Sequence, residues 1–223
     1  MEKIISPLYI RQLEIGPMQN FVYLIGDRNE KKCVMVDPAW DVSAVLKAAE
    51  EDGMEVTGGL VTHTHFDHCN GAEELLKKIK GKLYIHKAEA DRLKGMGGDL
   101  VKSEAGTKIN IGDVQITFIH TPGHTPGSQC FLVSCGKAPS DSGNLVSGDT
   151  LFINACGRCD LPGGNAAELY ESLQALAKLD EKTLLFPGHN YAEEAVSSIG
   201  KEKIYNPYLQ YRSLNDFLGF RMG

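Results

Sequence analysis

The sequence predicts an α/β fold in which two β-sheets pack together and helices cover their outer faces. Three observations lead to this prediction: strand-rich blocks are followed by helical stretches, the blocks form two similar halves, and no clear linker divides the halves. A hydrophobic fraction of 42% and a charged fraction of 23% are ordinary for a globular domain. Two sheets with helices outside bury such a pattern in one core. We therefore expect a single domain over residues 1–223, with a short C-terminal tail from about residue 191.

The first half of the chain alternates strand patterns with helix patterns. Runs rich in β-branched and aromatic residues predict strands at 8–16, 21–26, 32–39, 56–63 and 82–86. Helical sequence patterns predict helices at 40–53, 70–80 and 87–95. The stretch 95–107 contains four glycines and few apolar anchors, so it is predicted to be a surface loop.

The second half repeats this alternation. Strands are predicted at 114–125, 127–135, 145–152 and 183–190, and a hairpin loop is predicted at 136–144. Residues 165–179 predict an amphipathic helix, because Leu169, Leu173, Leu176 and Leu179 recur on one side. The tail from Tyr191 is predicted to be helical until Asn206 and Pro207 interrupt it.

Composition excludes several classes of partner. The formal net charge of -6 provides no basic surface for a phosphate backbone, so we expect a small-molecule substrate and no nucleic acid. No signal-peptide core follows Met1 and no run of about 18 apolar residues occurs, which predicts a cytoplasmic protein without a membrane partner. The six cysteines are expected to be free thiols, and the pair Cys156 and Cys159 is interpreted as part of a loop. The protein is expected to be a monomer or a homodimer.

Histidines form the main chemical signal. Five of the seven histidines lie just after a predicted strand, in a turn, where strand ends can converge at one edge of a sheet. These residues are His63, His65, His68, His124 and His189. Imidazole together with carboxylate suits zinc, iron or manganese. The alternative is a helix-capping loop in which Asp67 or Asn70 satisfies backbone donors.

The motifs "HTHFDH", "GHTPG", "SGDT" and "PGHNY" follow one another between about Leu8 and His189. In this order they resemble the metallo-β-lactamase superfamily. The resemblance implies a four-layer αβ/βα sandwich with a metal site at one edge of the two sheets. It also implies a ligand set: His63, His65 and His124 for a first metal, Asp67, His68 and His189 for a second, and Asp149 as the bridge.

The chemistry implied by this ligand set is hydrolysis. Two metals about 3.5 to 4 Å apart can hold a hydroxide at neutral pH and polarise a carbonyl for its attack. Asp67 would orient the water as well as ligate, and Asp149 would support the metal separation, so both are candidate catalytic residues. We expect two divalent metals, with zinc favoured and iron or manganese as alternatives.

The segment "SGDTLFINACGRCDLPGGN" resembles the short glyoxalase-II-like (hydroxyacylglutathione hydrolase-like) branch. This resemblance implies hydrolysis of acyl thioesters of the S-lactoylglutathione type, whose thiolate leaves readily because thiol pKa values are near ~8.5. Arg158 matches a basic residue that contacts a carboxylate of glutathione; the alternative is a surface arginine paired with Asp160. The tail is expected to close part of the pocket, with Tyr191, Lys201 or Tyr205 nearby, and Tyr191 is the expected substrate contact. Asp160 departs from the tyrosine of glyoxalase II, and the short tail departs from its glutathione-binding helical domain.

Two other functions fit the same motifs. Persulfide dioxygenases share the fold and a similar loop, and use one iron bound by the equivalents of His63, His124 and Asp149, with open positions for oxygen. Their loop usually has the sequence GRTDF, whereas this chain has "GRCDLPGG", which favours the hydrolase. A non-catalytic metal-binding protein is the third alternative.

Overall fold

The computed structural model describes residues 6–136 and 142–222, without the side chains of 221 and 222. The first sheet contains β1 (Leu8–Ile15), β2 (Asn20–Asp27), β3 (Lys32–Val36), β4 (Glu55–Leu60), β5 (Lys82–His86) and β6 (Asp99–Ser103). The other strands are β7 (Lys108–Ile111), β8 (Val114–His120), β9 (Gln129–Cys135), β10 (Asn144–Gly148), β11 (Leu151–Phe152), β12 (Ala155–Cys156), β13 (Leu184–Pro187) and β14 (Ser197–Ser198). The helices are α1 (Val42–Glu51), α2 (Phe66–Cys69), α3 (Ala72–Lys78), α4 (Ala166–Leu176), α5 (Ile199–Tyr205) and α6 (Leu214–Met222), with 3-10 turns at Ala90–Leu93 and Pro207–Leu209.

Both large sheets are mixed and six-stranded. The first has the order β1-β2-β3-β4-β5-β6, antiparallel from β1 to β3 and parallel from β3 to β6. The second has the order β14-β13-β10-β9-β8-β7, in which β10 and β13 are parallel and the other pairs antiparallel. The short strands β11 and β12 form a separate ribbon. The strand directions bring the carboxyl ends of β4, β8, β10 and β13 to the site described below.

Strand β2 shows how the layers are built, because all eight of its residues are buried. Phe21, Tyr23 and Ile25 point into a core that also contains Ile116 and Phe118 of the second sheet. Their alternate neighbours, Val22 and Leu24, belong to a different core that contains Val42 and Val45 of α1. Because successive strand side chains point to opposite faces, one apolar strand serves both the inter-sheet core and the sheet-helix core.

Helix α4 forms the cover of the second sheet. Its residues Leu169, Leu173 and Leu176 are buried in one cluster with Leu145 of β10 and Leu185 of β13. Asn165 caps the helix, because its side chain accepts hydrogen bonds from the backbone N–H groups of Ala167 and Glu168. The described residues thus form a helix-sheet-sheet-helix sandwich, and the predicted fold class is confirmed.

The prediction of a loop over 95–107 was wrong for its centre. Residues 99–103 form β6, an edge strand that pairs in parallel with β5, with Leu83 opposite Leu100. The glycines around it gave a loop pattern, but pairing with a neighbouring strand supplies hydrogen bonds that local sequence cannot reveal. The helix predicted at 87–95 is reduced to the 3-10 turn Ala90–Leu93.

Two further differences concern the second half. The strand β13 is not the last one, since β14 pairs with it in antiparallel register. The tail does not become helical at Tyr191; α5 begins at Ile199, where the side chain of Ser198 caps it by accepting a hydrogen bond from the Lys201 N–H. The predicted hairpin loop at 136–144 falls largely outside the described residues, because 137–141 are not among them.

No helix within 6–136 or 142–222 is long and apolar enough to cross a membrane. All six cysteines lie in these ranges, and all are buried free thiols, as the sequence predicted. Burial raises the pKa of the Cys69 thiol to about 12, so this group stays protonated at neutral pH.

Candidate metal-binding site

The site lies where strands from both sheets end. His63, His65, Asp67 and His68 follow β4 in the first sheet and continue into the short helix α2. The second sheet supplies three residues, each in a turn after a strand: His124 after β8, Asp149 after β10 and His189 after β13. All seven predicted ligand residues therefore meet at one edge.

The first candidate metal-binding group consists of His63, His65 and His124. Nε2 of His63 is 3.0 Å from Nδ1 of His65 and 3.2 Å from Nε2 of His124. Nε2 of His124 is 2.9 Å from Nδ1 of His65. Three imidazole nitrogens therefore converge on one small space. Neutral imidazoles offer lone pairs there, which is the donor set of a divalent metal.

The second candidate group consists of Asp67, His68 and His189. The two Nε2 atoms of His68 and His189 are 3.1 Å apart. Oδ2 of Asp67 is 3.5 Å from Nε2 of His68 and 3.4 Å from Nε2 of His189. Two imidazoles and a carboxylate form a donor set that suits zinc, iron or manganese.

Asp149 lies between the two groups. Its Oδ1 is 3.3 Å from Nε2 of His68, and its Oδ2 is 3.7 Å from Nε2 of His124 and 3.4 Å from Nε2 of His189. Oδ1 is buried and has no hydrogen-bond partner among the described residues. A buried carboxylate oxygen without a donor is costly unless a cation balances it, so this atom fits a metal site.

Hydrogen bonds on the far side of the rings fix their orientation. Nδ1 of His124 donates to the backbone carbonyl of Arg158 at 2.6 Å, and Nδ1 of His189 donates to the carbonyl of Met18 at 2.9 Å. A carbonyl oxygen only accepts, so each Nδ1 carries a proton, and each ring turns its Nε2 atom toward the site. Such outer contacts are a regular feature of metal-ligating histidines.

Sequence reasoning missed Asp37, which supports the loop that follows β4. Its carboxylate accepts hydrogen bonds from the N–H and Oγ1 of Thr62 at 2.7 Å each, and from Nδ1 of His68 at 2.8 Å. A strand predicted to end at Val36 instead of residue 39 would have placed Asp37 directly after a strand, as are the five histidines.

Asn20 and Trp40 were also missed. The amide of Asn20 donates to both the backbone carbonyl of Asp67 at 3.0 Å and its Oδ2 at 2.9 Å. Nε1 of Trp40 donates to Oδ1 of Asn20 at 2.8 Å. Asn20 is buried at the first position of β2. Its burial and its contacts are visible only in the structure, so the sequence offered no signal for this residue.

Charge states at the site suit metal binding. Burial lowers the pKa of His63 well below its usual value, and burial also lowers the pKa of His65, so both rings are neutral at pH 7. Burial raises the pKa of Asp149, but His68 and His189 outweigh it and hold that pKa well below its usual range. Burial lowers the pKa of His68, but Asp149 and Asp37 outweigh it and raise that pKa well above its usual value, so the ionised carboxylate of Asp149 lies beside a ring that favours its charged form.

Two glycines allow the turns to approach each other closely. Gly123, before His124, has a φ of 128°, and a Cβ there would collide with the backbone of Leu169. A Cβ on Gly188, before His189, would collide with Oδ1 of Asp149 and with the backbone of Gly148. The turns that carry His124 and His189 thus require glycine for close packing, and Gly123 is also needed for its positive φ.

A cavity of about 610 Å³ opens over the two groups. Both predicted substrate-contact residues, Arg158 and Tyr191, line it. The Tyr191 ring stacks on the ring of His189, with centroids 4.6 Å apart and planes 11° apart, and Tyr191 is 59% exposed. Arg158 is paired with Asp160, the alternative to a substrate contact, because its guanidinium donates to both carboxylate oxygens of Asp160.

The two remaining histidines lie outside the two groups. His86 and His120 stack on each other with centroids 4.0 Å apart, and Nε2 of His120 donates to the carbonyl of Pro126. The structure brings only one of the three tail candidates to the main cavity, namely Tyr191. Lys201 lines a neighbouring cavity, and Tyr205 is exposed on α5.

The chain is similar to proteins of a known family. The metallo-beta-lactamase superfamily model matches residues 15–189. The chain is 31% identical over 203 residues to BaeB of Bacillus velezensis, a probable polyketide biosynthesis zinc-dependent hydrolase. The aligned residues cover 91% of this chain and 87% of BaeB. It is 34% identical over 192 residues to the hydroxyacylglutathione hydrolase of Rhodospirillum rubrum, and the alignment covers 86% of this chain and 70% of that protein. The crystal structure of ETHE1 from Myxococcus xanthus superposes on this chain with a TM-score of 0.82 at 30% sequence identity. The superposition covers 96% of this chain and 90% of ETHE1.

Proposed function

Since this chain belongs to the metallo-beta-lactamase superfamily, in its glyoxalase-II-like branch, we propose that it is a dinuclear metallohydrolase of acyl thioesters. S-lactoylglutathione represents the substrate type. The observation that carries the proposal is the position of Asp149, an ionised carboxylate within 3.7 Å of histidine nitrogens from both candidate groups. The identity to a hydroxyacylglutathione hydrolase supports the thioester class.

The residues present fit two divalent metals, of which zinc is favoured and iron or manganese are alternatives. His63, His65 and His124 would hold one, Asp67, His68 and His189 the other, and Asp149 would contact both. When bound, such metals lower the pKa of a bound water and polarise a carbonyl oxygen. The neutral rings of His63 and His65 and the unpartnered Oδ1 of Asp149 support this assignment.

The protein's own groups orient the reactants. Asp67, held by the amide of Asn20, presents its carboxylate beside His189, where it would accept a proton from the attacking water. The side chains of Phe152, Leu161 and Tyr191 line the cavity and would exclude bulk water from the acyl group. No acid is needed for the leaving group, because a thiol with a pKa near ~8.5 leaves as the thiolate.

The test combines metal analysis with an assay of thiol release. We expect two metals per chain and release of glutathione from S-lactoylglutathione. The variant His63→Ala should lose metal and reduce activity by about 100-fold or more. His120→Ala is the matched control, since His120 is a histidine outside both groups, and it should keep metal and activity. Full activity in His63→Ala would refute the site assignment.

The alternative is a mononuclear iron dioxygenase acting on persulfides, with iron held by His63, His124 and Asp149. The similarity to ETHE1 also fits this alternative. It predicts one iron per chain and oxygen uptake on glutathione persulfide, with no thioester hydrolysis. That result would replace the hydrolase, whereas turnover of neither substrate by metal-replete protein would leave a non-catalytic metal-binding role.

We also propose a cytoplasmic location, because six buried free thiols are typical of a reducing compartment. The expected partner is a small-molecule thioester, with no nucleic acid or membrane involved. The protein would act as a monomer or a homodimer.

A further inference from the structure

The outer wall of the main cavity is apolar. Met18, Phe66, Phe152, Leu161 and Tyr191 all line it, and three of them are large exposed hydrophobic residues: Met18 at 46%, Phe66 at 72% and Tyr191 at 59%. Large exposed apolar groups around a concavity mark a binding surface for apolar matter. This wall therefore favours a substrate whose parts outside the metal centre are largely uncharged.

Arg158 is the one lysine or arginine among the described residues that line this cavity. Its guanidinium is already occupied: Nε donates to Oδ1 of Asp160 at 3.0 Å, and one terminal nitrogen donates to Oδ2 at 2.6 Å. This is the two-point geometry by which arginine binds a carboxylate. A substrate carboxylate would have to displace Asp160 to use the same donors.

A second cavity of about 360 Å³ adjoins the first, and Tyr191 lines both. The charged residues around it are Glu193, Glu194 and Lys201. The Lys201 ammonium forms an ion pair with the Glu194 carboxylate. Each cavity thus has one lysine or arginine among its described lining residues, and that side chain is paired with a carboxylate of this chain, while Glu193 adds further negative charge.

We propose that Asp160 determines specificity at this site, so that the protein selects thioesters whose thiol half carries no carboxylate. This inference rests on the proposed function, because it names the substrate class of the same cavity. Arg158 is expected to serve as a structural partner of Asp160, and its backbone carbonyl orients His124 in either case. In the second cavity, Glu194 pairs with Lys201 as Asp160 pairs with Arg158 in the first.

The physical reason is the cost of moving a carboxylate out of water. Glutathione carries two carboxylates and one ammonium group, and each carboxylate loses hydration when it enters an apolar cavity. The loss is repaid only where a free donor or cation meets it. Asp160 and Glu194 occupy the cations on both sides of Tyr191, and like charge repels the incoming anion. A thiol with only amide or alkyl groups avoids this penalty.

A matched pair of non-hydrolysable thioethers tests the proposal. S-hexylglutathione and S-hexyl-N-acetylcysteamine share the hexyl group and differ in the carboxylates and ammonium. Their dissociation constants are measured by calorimetry on the metal-loaded protein, as purified and as the variants Asp160→Asn and Glu194→Gln. Glu104→Gln is the control, because it removes an equal charge from an exposed ion pair with Lys87, and neither residue lines the two cavities.

We expect the unmodified protein to bind the neutral thioether more tightly. Asp160→Asn should shift the ratio of the two dissociation constants toward S-hexylglutathione by roughly threefold to tenfold, since exposed ion pairs are modest competitors. Glu194→Gln should shift the ratio in the same direction, and Glu104→Gln should leave it unchanged. Tighter binding of S-hexylglutathione by the unmodified protein would overturn the proposal, and so would an unchanged ratio in Asp160→Asn or binding of neither thioether.

Binding of these thioethers requires no reaction, so the outcome is separate from that of the thioester assay. A protein that shows the expected preference but hydrolyses no thioester would contradict the proposed function and keep the specificity assignment. A protein that prefers S-lactoylglutathione over a neutral thioester would keep the function and remove the specificity assignment.

Discussion

The side-chain amide of Asn20 donates a 2.9 Å hydrogen bond to Oδ2 of Asp67, although the two residues lie on different elements. Trp40 fixes the orientation of this amide, because its Nε1 donates a 2.8 Å hydrogen bond to Oδ1 of Asn20. The carboxylate of Asp67 is thereby fixed beside His68 and His189. Trp40 and Asn20 lie outside the HTHFDH motif, and their hydrogen bonds hold Asp67 of the second candidate group in place.

Replacing Asn20 with Ala should weaken this support. Asp67 would lose an amide donor, so we expect metal affinity or activity to fall by about 10- to 100-fold, as for other outer contacts of metal sites. Metal titration and thioester turnover measure the effect. Asn110→Ala, at an exposed position on β7, is the control and should match the unmodified protein. Unchanged metal affinity in Asn20→Ala would show that Asp67 is held by other contacts.

Metal should stabilise the folded chain, because the candidate groups exist only when the sheets are assembled. Metal at 100 times its dissociation constant adds about 2.7 kcal/mol to the free energy of unfolding. For a domain of this size each kcal/mol raises the Tm by about 2 to 4 °C, which gives a rise of roughly 5 to 10 °C. Scanning calorimetry with and without a chelator measures it. His63→Ala should show a smaller rise, and an equal rise there would place the metal elsewhere.

Gly188→Ala should disturb both packing and metal binding. The added Cβ would collide with Oδ1 of Asp149 and the Gly148 backbone, so we expect a loss of about 1 to 3 kcal/mol and reduced metal content. Gly219→Ala is the control, because Gly219 lies inside α6 and its Cβ would meet open space. The control should gain about 0.5 to 1 kcal/mol. Urea unfolding separates the two, and equal stabilities would argue against the close contact at Gly188.

His86 should make the fold sensitive to acid. Burial, with contributions from His120 and Lys87, lowers the pKa of His86 from 6.5 to about 4. Between these values the unfolded chain binds more protons, so the stability given by the neutral ring is complete above pH 6.5 and is lost as the pH falls toward 4. Unfolding at pH 7.5 and 4.5 should show His86→Gln losing about 2 to 3 kcal/mol less than the unmodified protein. Equal losses would contradict the lowered pKa of His86.

Much of the fold could be predicted because apolar patterning marks the buried strands directly. Strand β2, buried on both faces, appears as a continuous apolar run, and α4 shows its leucines at helical spacing. Strands β6 and β14 could not be predicted, since an edge strand is defined by its partner. The interpretation of the chain as one domain stays a prediction.

The candidate site divides in the same way. The seven predicted ligand residues follow strands and form a recognisable motif, and the structure brings them together at one edge, while their role as metal ligands stays a prediction. Asn20 and Trp40 act through contacts between distant segments, which no local pattern records. The pairing of Arg158 with Asp160 was one of two alternatives in the sequence, and only the geometry of the two side chains distinguished them.

Each candidate group draws residues from both sheets: His63, His65 and His68 come from the first half of the chain, and His124, Asp149 and His189 from the second. Neither half alone can assemble a full set of donors. An ion held by a full set of donors would therefore link the two halves, and the complete set exists only after the sheets have docked. Such an ion would also oppose their separation, because separation would break its bonds to one half.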